Sequence, residues 1–307
     1  MSGQDRPRPV VLGQNQYGKA ETRVVRVTRD GEVHRLKDLS VSVALSGDMD
    51  AVHLSGSNAH VLPTDTMKNT VFAFAKEHGI ASAEQFGVRL ARHFTDSQEA
   101  IHRARIGIEQ YDWERLTDAE GSGLPHSFVR KGQETRTARV EYDGGRCEVV
   151  SGLKDLVVMN TTDSEFWGFA RDRYTTLAET RDRVLATEVN ARWRHAWSTD
   201  EDPLPDWEAS YGAVRAALLE AFAGTHSLSL QQTLYAMGAR VLETRDEIEE
   251  IRLSLPNKHH FLADLEAFGL ENANEVYFAA DRPYGLIEAT VLREGGSPRI
   301  PTEPTQG

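Results

Sequence analysis

The sequence predicts an α+β protein built on antiparallel sheets, with helices packed on one face. Segments that alternate apolar and polar residues with a period of two, as half-buried strands do, surround segments with a helical period. The order strand, strand, helix, helix, strand, strand also occurs twice along the 307 residues. Consecutive strands joined by short turns pair in an antiparallel manner, because a parallel connection needs a dozen or more residues.

The first half of the chain opens on two strand-like segments joined by a turn. Residues 22–28 are rich in β-branched side chains, and residues 39–45 alternate between apolar and polar. The dipeptide Asp30-Gly31 between them is typical of a hairpin turn. The elements predicted next are amphipathic helices over residues 66–78 and 82–93, the second with Ser82 as its N-cap, and strand-like stretches over 100–113 and 127–142.

The second half repeats this order. Its predicted strands cover residues 147–159, 186–197, 248–255 and 275–292, and its predicted helices cover 207–222 and 228–241. Sheets covered on one face have exposed edges, which proteins usually hide. We therefore expect the two halves to pair with each other, and chains then to pair in an obligate oligomer that closes the sheets into a barrel. The predicted divisions are an N-terminal tail over 1–16, domains over 17–143 and 144–294, and a disordered tail over 295–307.

Composition argues against several classes of protein. The net charge of −12 disfavours nonspecific nucleic-acid binding, because phosphate contacts need clustered Lys and Arg. The single cysteine, Cys147, excludes an internal disulfide and a thiolate-rich metal site. The polar start of the chain does not resemble a signal peptide, and no stretch approaches the roughly 18–20 apolar residues of a spanning helix. We expect a soluble protein of a reducing compartment, with no nucleic-acid or membrane partner.

Candidate functional residues in the first half come from polar clusters at the ends of elements. The sequence contains no Gly-rich nucleotide loop, HExxH or GxSxG motif. Tyr17-Gly18-Lys19 opens the first strand, where a lysine is usually a solvated charge. Thr64 and Asp65 begin a helix, where they either cap it or belong to an N-terminus that faces an anion.

Two clusters in the second half contain residue types suited to a planar anion. The aromatic segment 166–169 offers ring faces, and Arg183 downstream offers a guanidinium fork. Gln231, in the first turn of a helix, has an amide that can read a ring carbonyl and a ring N–H together. Core packing and a solvated helix end explain these residues equally well when each cluster is taken alone.

A further cluster follows the strand that ends near residue 255. Pro256 is expected to force an irregular exit from that strand, which would aim Asn257 and His259. Taken alone, this segment is a loop.

Together these clusters resemble the urate oxidase (uricase) family. The resemblance implies two tandem T-fold domains and a homotetramer around a tunnel. It also implies oxidation of urate by O2 and water to 5-hydroxyisourate and hydrogen peroxide, with no metal or organic cofactor. The matching segments, which run in consistent order between Tyr17 and Leu292, are Tyr17-Gly18-Lys19, Thr64–Thr70, Phe166–Phe169 with Arg171–Leu177, and Leu255–His259.

The resemblance also implies how urate is bound. Phe166 stacks on the purine, while Arg183 and Gln231 grip opposite parts of the ring edge. The main-chain N–H groups of Leu230 and Asp65 add contacts, so the side chain of Leu230 should matter little.

For catalysis, the resemblance implies a dyad of Lys19 and Thr64, with His259 completing a proton relay. Thr64 and Asn257 hold O2, peroxide or the attacking water above the urate plane. The same resemblance places the active sites at subunit interfaces. The chain ends Thr-Gln-Gly rather than Ser-Lys-Leu, so we expect a cytoplasmic enzyme rather than a peroxisomal one.

Two alternatives stay open at this level. One is another T-fold enzyme acting on a purine-like or pterin-like ring, although a zinc-dependent cyclohydrolase would need cysteine ligands that this chain lacks. The other is a non-catalytic purine-binding oligomer, which could dispense with Lys19, Thr64 and His259. All three residues are present.

Overall fold

The structure, a computed structural model, describes residues 9–29 and 31–302. Its strands are β1 (Tyr17–Thr28), β2 (Arg35–Gly47), β3 (Ile101–Tyr111), β4 (Trp113–Thr117), β5 (Gly123–Arg130), β6 (Thr135–Tyr142), β7 (Cys147–Asn160), β8 (Leu185–His195), β9 (Ile248–Leu262) and β10 (Tyr277–Leu292). Its α-helices are α1 (Asp50–Leu54), α2 (Thr64–Glu77), α3 (Ala83–Asp96), α4 (Trp207–Gly224) and α5 (Leu230–Thr244). The predicted order of elements is confirmed in both halves, and the first half adds α1 and the β4–β5 hairpin.

A single antiparallel sheet runs through both halves of the chain. Its strand order is β1-β2-β3-β6-β7-β8-β9-β10, so each half contributes four neighbouring strands. The halves meet where β6 pairs with β7, from Thr135 opposite Lys154 to Tyr142 opposite Cys147. The predicted pairing of the two halves is confirmed, and the structure identifies β6 and β7 as the strands that join them. The proposed domain boundary at 143/144 lies in the turn between these two strands.

The helices cover one face of the sheet over two apolar clusters, the first of which also includes Trp197 and Trp207 of the second half. In α3, Ser82 is the N-cap, as predicted, and its hydroxyl accepts the Gln85 N–H at 3.1 Å. Phe86, Leu90 and Phe94 recur every four residues and are fully buried or nearly so, so this side of the helix packs on the strands of the first half. The helix α5 packs on β9 and β10 in the same way. Across the described ranges, no helix is long and apolar enough to cross a membrane.

The strand β9 does not end at the proline, contrary to the sequence prediction. It continues past Pro256 to Leu262, and Pro256 lies opposite Leu286 of β10. Proline lacks an N–H, but its carbonyl oxygen accepts a hydrogen bond from the Thr187 hydroxyl of β8 at 2.8 Å. Asn257 and His259 therefore lie within β9 rather than on an exit loop, opposite an irregularity of β10 between Ala280 and Gly285.

The prediction of a disordered C-terminal tail is wrong for residues 295–302. Ile300 is buried, and the Arg299 and Ile300 N–H groups donate to the Glu250 carboxylate at 3.0–3.1 Å. The Glu250 side chain is fully buried and needs such donors, which composition alone does not reveal. Residues 303–307 of that tail, residues 1–8 of the N-terminal tail, and Asp30 of the predicted turn lie outside the described residues.

A buried ion pair connects the two halves beneath the helices. The Arg136 guanidinium on β6 donates to Glu84 of α3 at 2.7 Å and to Glu208 of α4 at 2.8 Å. Glu84 also accepts a hydrogen bond from the Ser151 hydroxyl of β7 at 2.6 Å. The side chains of Arg136 and Glu84 are 2% and 0% exposed, so each compensates the buried charge of the other.

Replacing Arg136 by Met should lower the free energy of unfolding by about 3–5 kcal/mol, because Glu84 keeps a buried charge with no cation beside it. Arg240→Met is the matched control, since Arg240 faces Glu220 at 3.8 Å on the exposed surface. This control should change the free energy by less than about 1 kcal/mol. Urea denaturation at one fixed protomer concentration measures both effects. Equal decreases in the free energy of unfolding of the two variants would show that the buried ion pair stabilises the protein no more than the exposed one.

Candidate active site

A cavity of about 910 Å³ opens beside β9 and β10 in the second half of the chain. Its wall is formed by the segment before β8, by the first turn of α5, and by the ends of β9 and β10. Six of the nine residues predicted for the site line it: Phe166, Arg183, Leu230, Gln231, Asn257 and His259. The structure therefore brings together residues that are up to 93 positions apart (259 − 166).

The Phe166 ring is held by the turn that follows it. The Phe166 and Thr180 main chains exchange two hydrogen bonds, of 2.9 and 3.0 Å. Gly168 adopts a φ of 71°, a backbone conformation that is unfavourable for residues with a side chain. Its N–H donates a hydrogen bond to the Glu179 carboxylate. This turn places Phe169 against Phe166, with ring centres 5.0 Å apart and planes 15° from parallel. Phe169 therefore supports the Phe166 ring, which lines the cavity.

The Arg183 guanidinium is half-buried beside the Phe166 ring. Its central carbon lies 5.2 Å from the centre of the Phe166 ring, and its Nε donates to the Ser164 hydroxyl at 3.1 Å. Burial lowers the pKa of Arg183, but arginine stays protonated in proteins. A positive charge therefore lies beside the Phe166 ring in the cavity.

The first turn of α5 supplies main-chain donors to the opposite side of the cavity. Ser229 is the N-cap, and its hydroxyl accepts the Gln232 N–H at 3.2 Å. Leu230 and Gln231 occupy the first two helical positions, whose N–H groups have no partner within a helix. The Leu230 side chain is buried in the core, which leaves its main chain at the cavity.

Asn257 and His259 reach the cavity from β9. The hydrogen bond from Thr187 to the Pro256 carbonyl fixes the main chain immediately before Asn257. Burial, followed by the positive charge of Arg183, lowers the pKa of His259. Both effects favour the neutral imidazole, in which one ring nitrogen can accept a proton.

The remaining predicted residues, Lys19, Thr64 and Asp65, do not line this cavity. They lie together on β1 and at the start of α2. The N-cap of α2 is Pro63, so Thr64 and Asp65 are its first two helical residues and not its caps. Both carboxylate oxygens of Asp65 accept hydrogen bonds within α2, from Lys68 at 2.5 Å and Asn69 at 2.9 Å. These two contacts, and then the nearby charge of Lys19, lower the pKa of Asp65.

The local structure around Lys19 explains its short motif. A Cβ on Gly18 would lie 1.7 Å from the Val43 carbonyl oxygen, so only glycine fits there. The Tyr17 hydroxyl accepts the Leu62 N–H at 2.9 Å, which ties β1 to the segment that enters α2. A β-bulge follows Lys19, with Glu21 at a φ of 55°. These features hold Lys19 beside the N-terminus of α2.

Comparison with known proteins agrees with this arrangement. The family model for uricase matches residues 15–141 and 149–288, one segment in each half. The chain belongs to the uricase family. It is 54% identical to the uricase of Arthrobacter globiformis over 286 residues, which cover 93% of this chain and 91% of that protein. It is 38% identical to the uricase of Oryctolagus cuniculus over 284 residues, or 91% of this chain and 93% of that one.

Solved structures of uricases have the same fold. The crystal structure of the Arthrobacter globiformis uricase superposes with a TM-score of 0.89 at 52% identity, covering 96% of this chain and 99% of that one. A Bacillus sp. TB-90 urate oxidase variant superposes with a TM-score of 0.79 at 23% identity, covering 92% and 99%. The fold therefore persists where most side chains differ.

Two residues that support the site had no role in the sequence analysis. Ser164 holds Arg183, and Thr187 holds the main chain beside Asn257. Both side chains are fully buried. No sequence signal distinguishes them, because a serine and a threonine in polar segments are ordinary until their partners are known.

Proposed function

We propose that this uricase-family chain oxidises urate with O2 and water to 5-hydroxyisourate and hydrogen peroxide. The observation that supports this most is the cavity in which a stacking ring, a half-buried guanidinium and a helix N-terminus converge. These are the groups that a flat, anionic, hydrogen-bonding ring requires. The chain is 54% and 38% identical to two uricases over more than 90% of its length, and this similarity supports the same substrate.

In the proposed complex, urate lies against the Phe166 ring. Arg183 donates to one part of the ring edge, and the Gln231 amide pairs with another part as both donor and acceptor. The Leu230 N–H, at the first position of α5, donates to a ring oxygen. The positive charge of Arg183 and the N-terminus of α5 both favour the anionic form of urate, since each stabilises negative charge.

The chemistry needs electrons from urate and movement of protons by the protein. Deprotonated urate is electron-rich and reduces O2 to peroxide, while water adds to the oxidised ring. Lys19 and Thr64 accept and relay protons, and neutral His259 completes the relay. Thr64 and Asn257 hold O2, peroxide or water above the ring plane. The protein thus supplies proximity and proton control rather than a redox group of its own.

We further propose that each active site is shared between two chains. Lys19 lies on β1 and His259 on β9, which are six inter-strand steps apart in the sheet order. At about 4.8 Å a step, this separation is roughly 29 Å along the sheet, too far for one proton relay. A second chain that brings its β1 edge to this cavity would complete the site with its own Lys19, Thr64 and Asp65.

The uncovered edges of the sheet support assembly. Both β1 and β10 pair with another strand on one side only, within the described part of the chain. Phe261, Phe278 and Leu262, near the tips of β9 and β10, are about half or more exposed. Such edges and apolar side chains are usually covered by another chain. We propose a homotetramer with closed sheets, acting in the cytoplasm.

Purified protein mixed with urate in air should consume urate and O2 and produce peroxide, and exhaustive chelation should leave the rate unchanged. The reason is that the proposed proton relay uses side chains alone. The loss of the urate ultraviolet band, followed together with peroxide and O2, measures the reaction. Activity that is lost on chelation and restored by one metal would contradict the proposed mechanism, and no urate loss at all would contradict the function.

Lys19→Met should reduce kcat about 10²-fold or more and leave the binding of xanthine, a purine that lacks the 8-oxo group, nearly intact. Arg183→Ala should instead weaken xanthine binding, because a charged two-point contact is lost. Lys76→Met, on the exposed surface of α2, is the control for removing a lysine. Steady-state kinetics with urate and titration with xanthine separate the two effects. Loss of xanthine binding by the same factor in both variants would show that the roles are not divided.

Thr64→Ala and Arg183→Ala protein, each inactive alone, should regain activity when unfolded and refolded together. If sites are shared, an intact site takes Thr64 from one variant and Arg183 from the other. Random assortment gives one half times one half, so about a quarter of sites should recover in a symmetric oligomer. Native mass spectrometry confirms that mixed oligomers form. Mixed oligomers with recovery well below a quarter would contradict the shared site.

A further inference from the structure

We propose that Ser164 is a positioning residue, whose hydroxyl sets the orientation of the Arg183 guanidinium toward urate. This inference rests on the proposed function of the cavity, but its structural part can be tested without urate. It begins from one hydrogen bond, in which Arg183 Nε donates to Ser164 Oγ at 3.1 Å. Ser164 is fully buried, so water does not compete for this contact.

The acceptor is neutral, and this matters for the charge of the site. Burial alone lowers the pKa of Arg183, and no carboxylate among the described residues offsets that effect. An aspartate in place of Ser164 would also orient the guanidinium, but it would neutralise its charge. A serine hydroxyl fixes the direction of the fork and leaves the positive charge for an anionic ligand.

The planar geometry of the Arg183 guanidinium explains why a hydrogen bond at Nε orients it for ligand binding. A guanidinium has five N–H donors in one plane, one at Nε and two at each Nη. With Nε bound to Ser164, rotation of the guanidinium is restricted and both Nη atoms remain available. Two parallel hydrogen bonds to a ring edge need both atoms in the correct plane, so the loss of this restraint weakens recognition.

Ser164 is itself held by the segment that leads into α5. Its neighbours exchange main-chain hydrogen bonds with Ser227: the Glu165 N–H donates to the Ser227 carbonyl at 2.7 Å, and the Ser227 N–H donates to the Asp163 carbonyl at 2.8 Å. Ser164 and Ser227 therefore form a short parallel bridge. The acceptor for Arg183 is part of a main-chain ladder and not of a free loop.

The same ladder reaches the other side of the cavity. The Ser227 hydroxyl donates to the carbonyl of Ser229, the N-cap of α5, at 3.1 Å, and accepts from the Thr233 hydroxyl at 2.8 Å. Ser227 and Thr233 are fully buried, as Ser164 is. The guanidinium and the first turn that carries Gln231 are thus positioned by one connected unit, which sets the distance between the two groups proposed to grip the ring.

The test compares Ser164→Ala with Ser210→Ala, which removes a buried hydroxyl of α4 that donates to Glu247 at 2.8 Å and has no part in positioning Arg183 or α5. Ser164→Ala should raise the KM for urate and the dissociation constant for xanthine about tenfold, the effect of one hydrogen bond to a charged group, with kcat within about twofold. Ser210→Ala should change both constants much less at a similar loss of thermal stability. If Ser164→Ala does not fold, Ser164→Cys makes the same comparison, because it keeps the side-chain volume with a weak acceptor.

A double-mutant cycle and a crystal structure decide the result. In an Arg183→Ala background, Ser164→Ala should have no further effect on xanthine binding, because the hydroxyl has nothing left to orient. Crystals of Ser164→Ala should show the guanidinium displaced from its position in the wild type. The inference would be overturned if the guanidinium did not move. It would also be overturned if Ser164→Ala weakened xanthine binding by the same factor in the Arg183→Ala background as in the wild type.

Failure of the proposed function gives a different pattern. Wild-type protein would then neither consume urate nor bind xanthine, whereas the guanidinium position in the two crystals would still decide whether Ser164 orients Arg183. Normal urate oxidation by the wild type, with equal constants in Ser164→Ala and Ser210→Ala, would reject this inference and leave the proposed function standing.

Discussion

The pairing of β6 with β7 is the constraint on which the rest of this structure depends. It joins two four-stranded halves into one sheet, so that β1 and β10 lie at opposite ends. The first strand of each half contains a β-bulge with an acidic residue at positive φ, Glu21 in β1 and Asp155 in β7. A duplicated unit, joined edge to edge, thus carries two different parts of a site at its two ends.

A cluster of buried charges reinforces the junction between the two halves. The apolar cluster of the first half already includes Trp197 and Trp207 of the second half, and Arg136, Glu84 and Glu208 connect strands and helices of both halves. On the opposite face, Glu250 binds the C-terminal segment through main-chain N–H groups. Each of these buried charges has hydrogen-bond or ionic partners, which offset the free-energy cost of its desolvation and fix the positions of the segments that carry it.

The residues predicted for the site fall into two clusters, one in the cavity of the second half and one on β1 and α2 of the first half. In the cavity, a charged guanidinium beside a stacked ring and a neutral imidazole suits an anionic ring. At the other end of the sheet, Lys19 lies beside a helix N-terminus. Because the sheet holds these clusters apart, assembly rather than folding of one chain would complete the site. Under the shared-site proposal, catalytic activity would depend on oligomerisation.

The sequence by itself determined the type and order of the elements, the Ser82 cap and the residues that carry the family resemblance. These are local properties, since the period of a segment and the residues of a motif do not depend on distant partners. Only the tertiary structure decided that β6 and β7 are the strands that join the halves, that β9 continues past Pro256, and that Ile300 is buried. It also decided that Ser164 and Thr187 support the site. Each of these depends on contacts between residues far apart in the chain, and burial of a polar group is favourable only when such a partner is present.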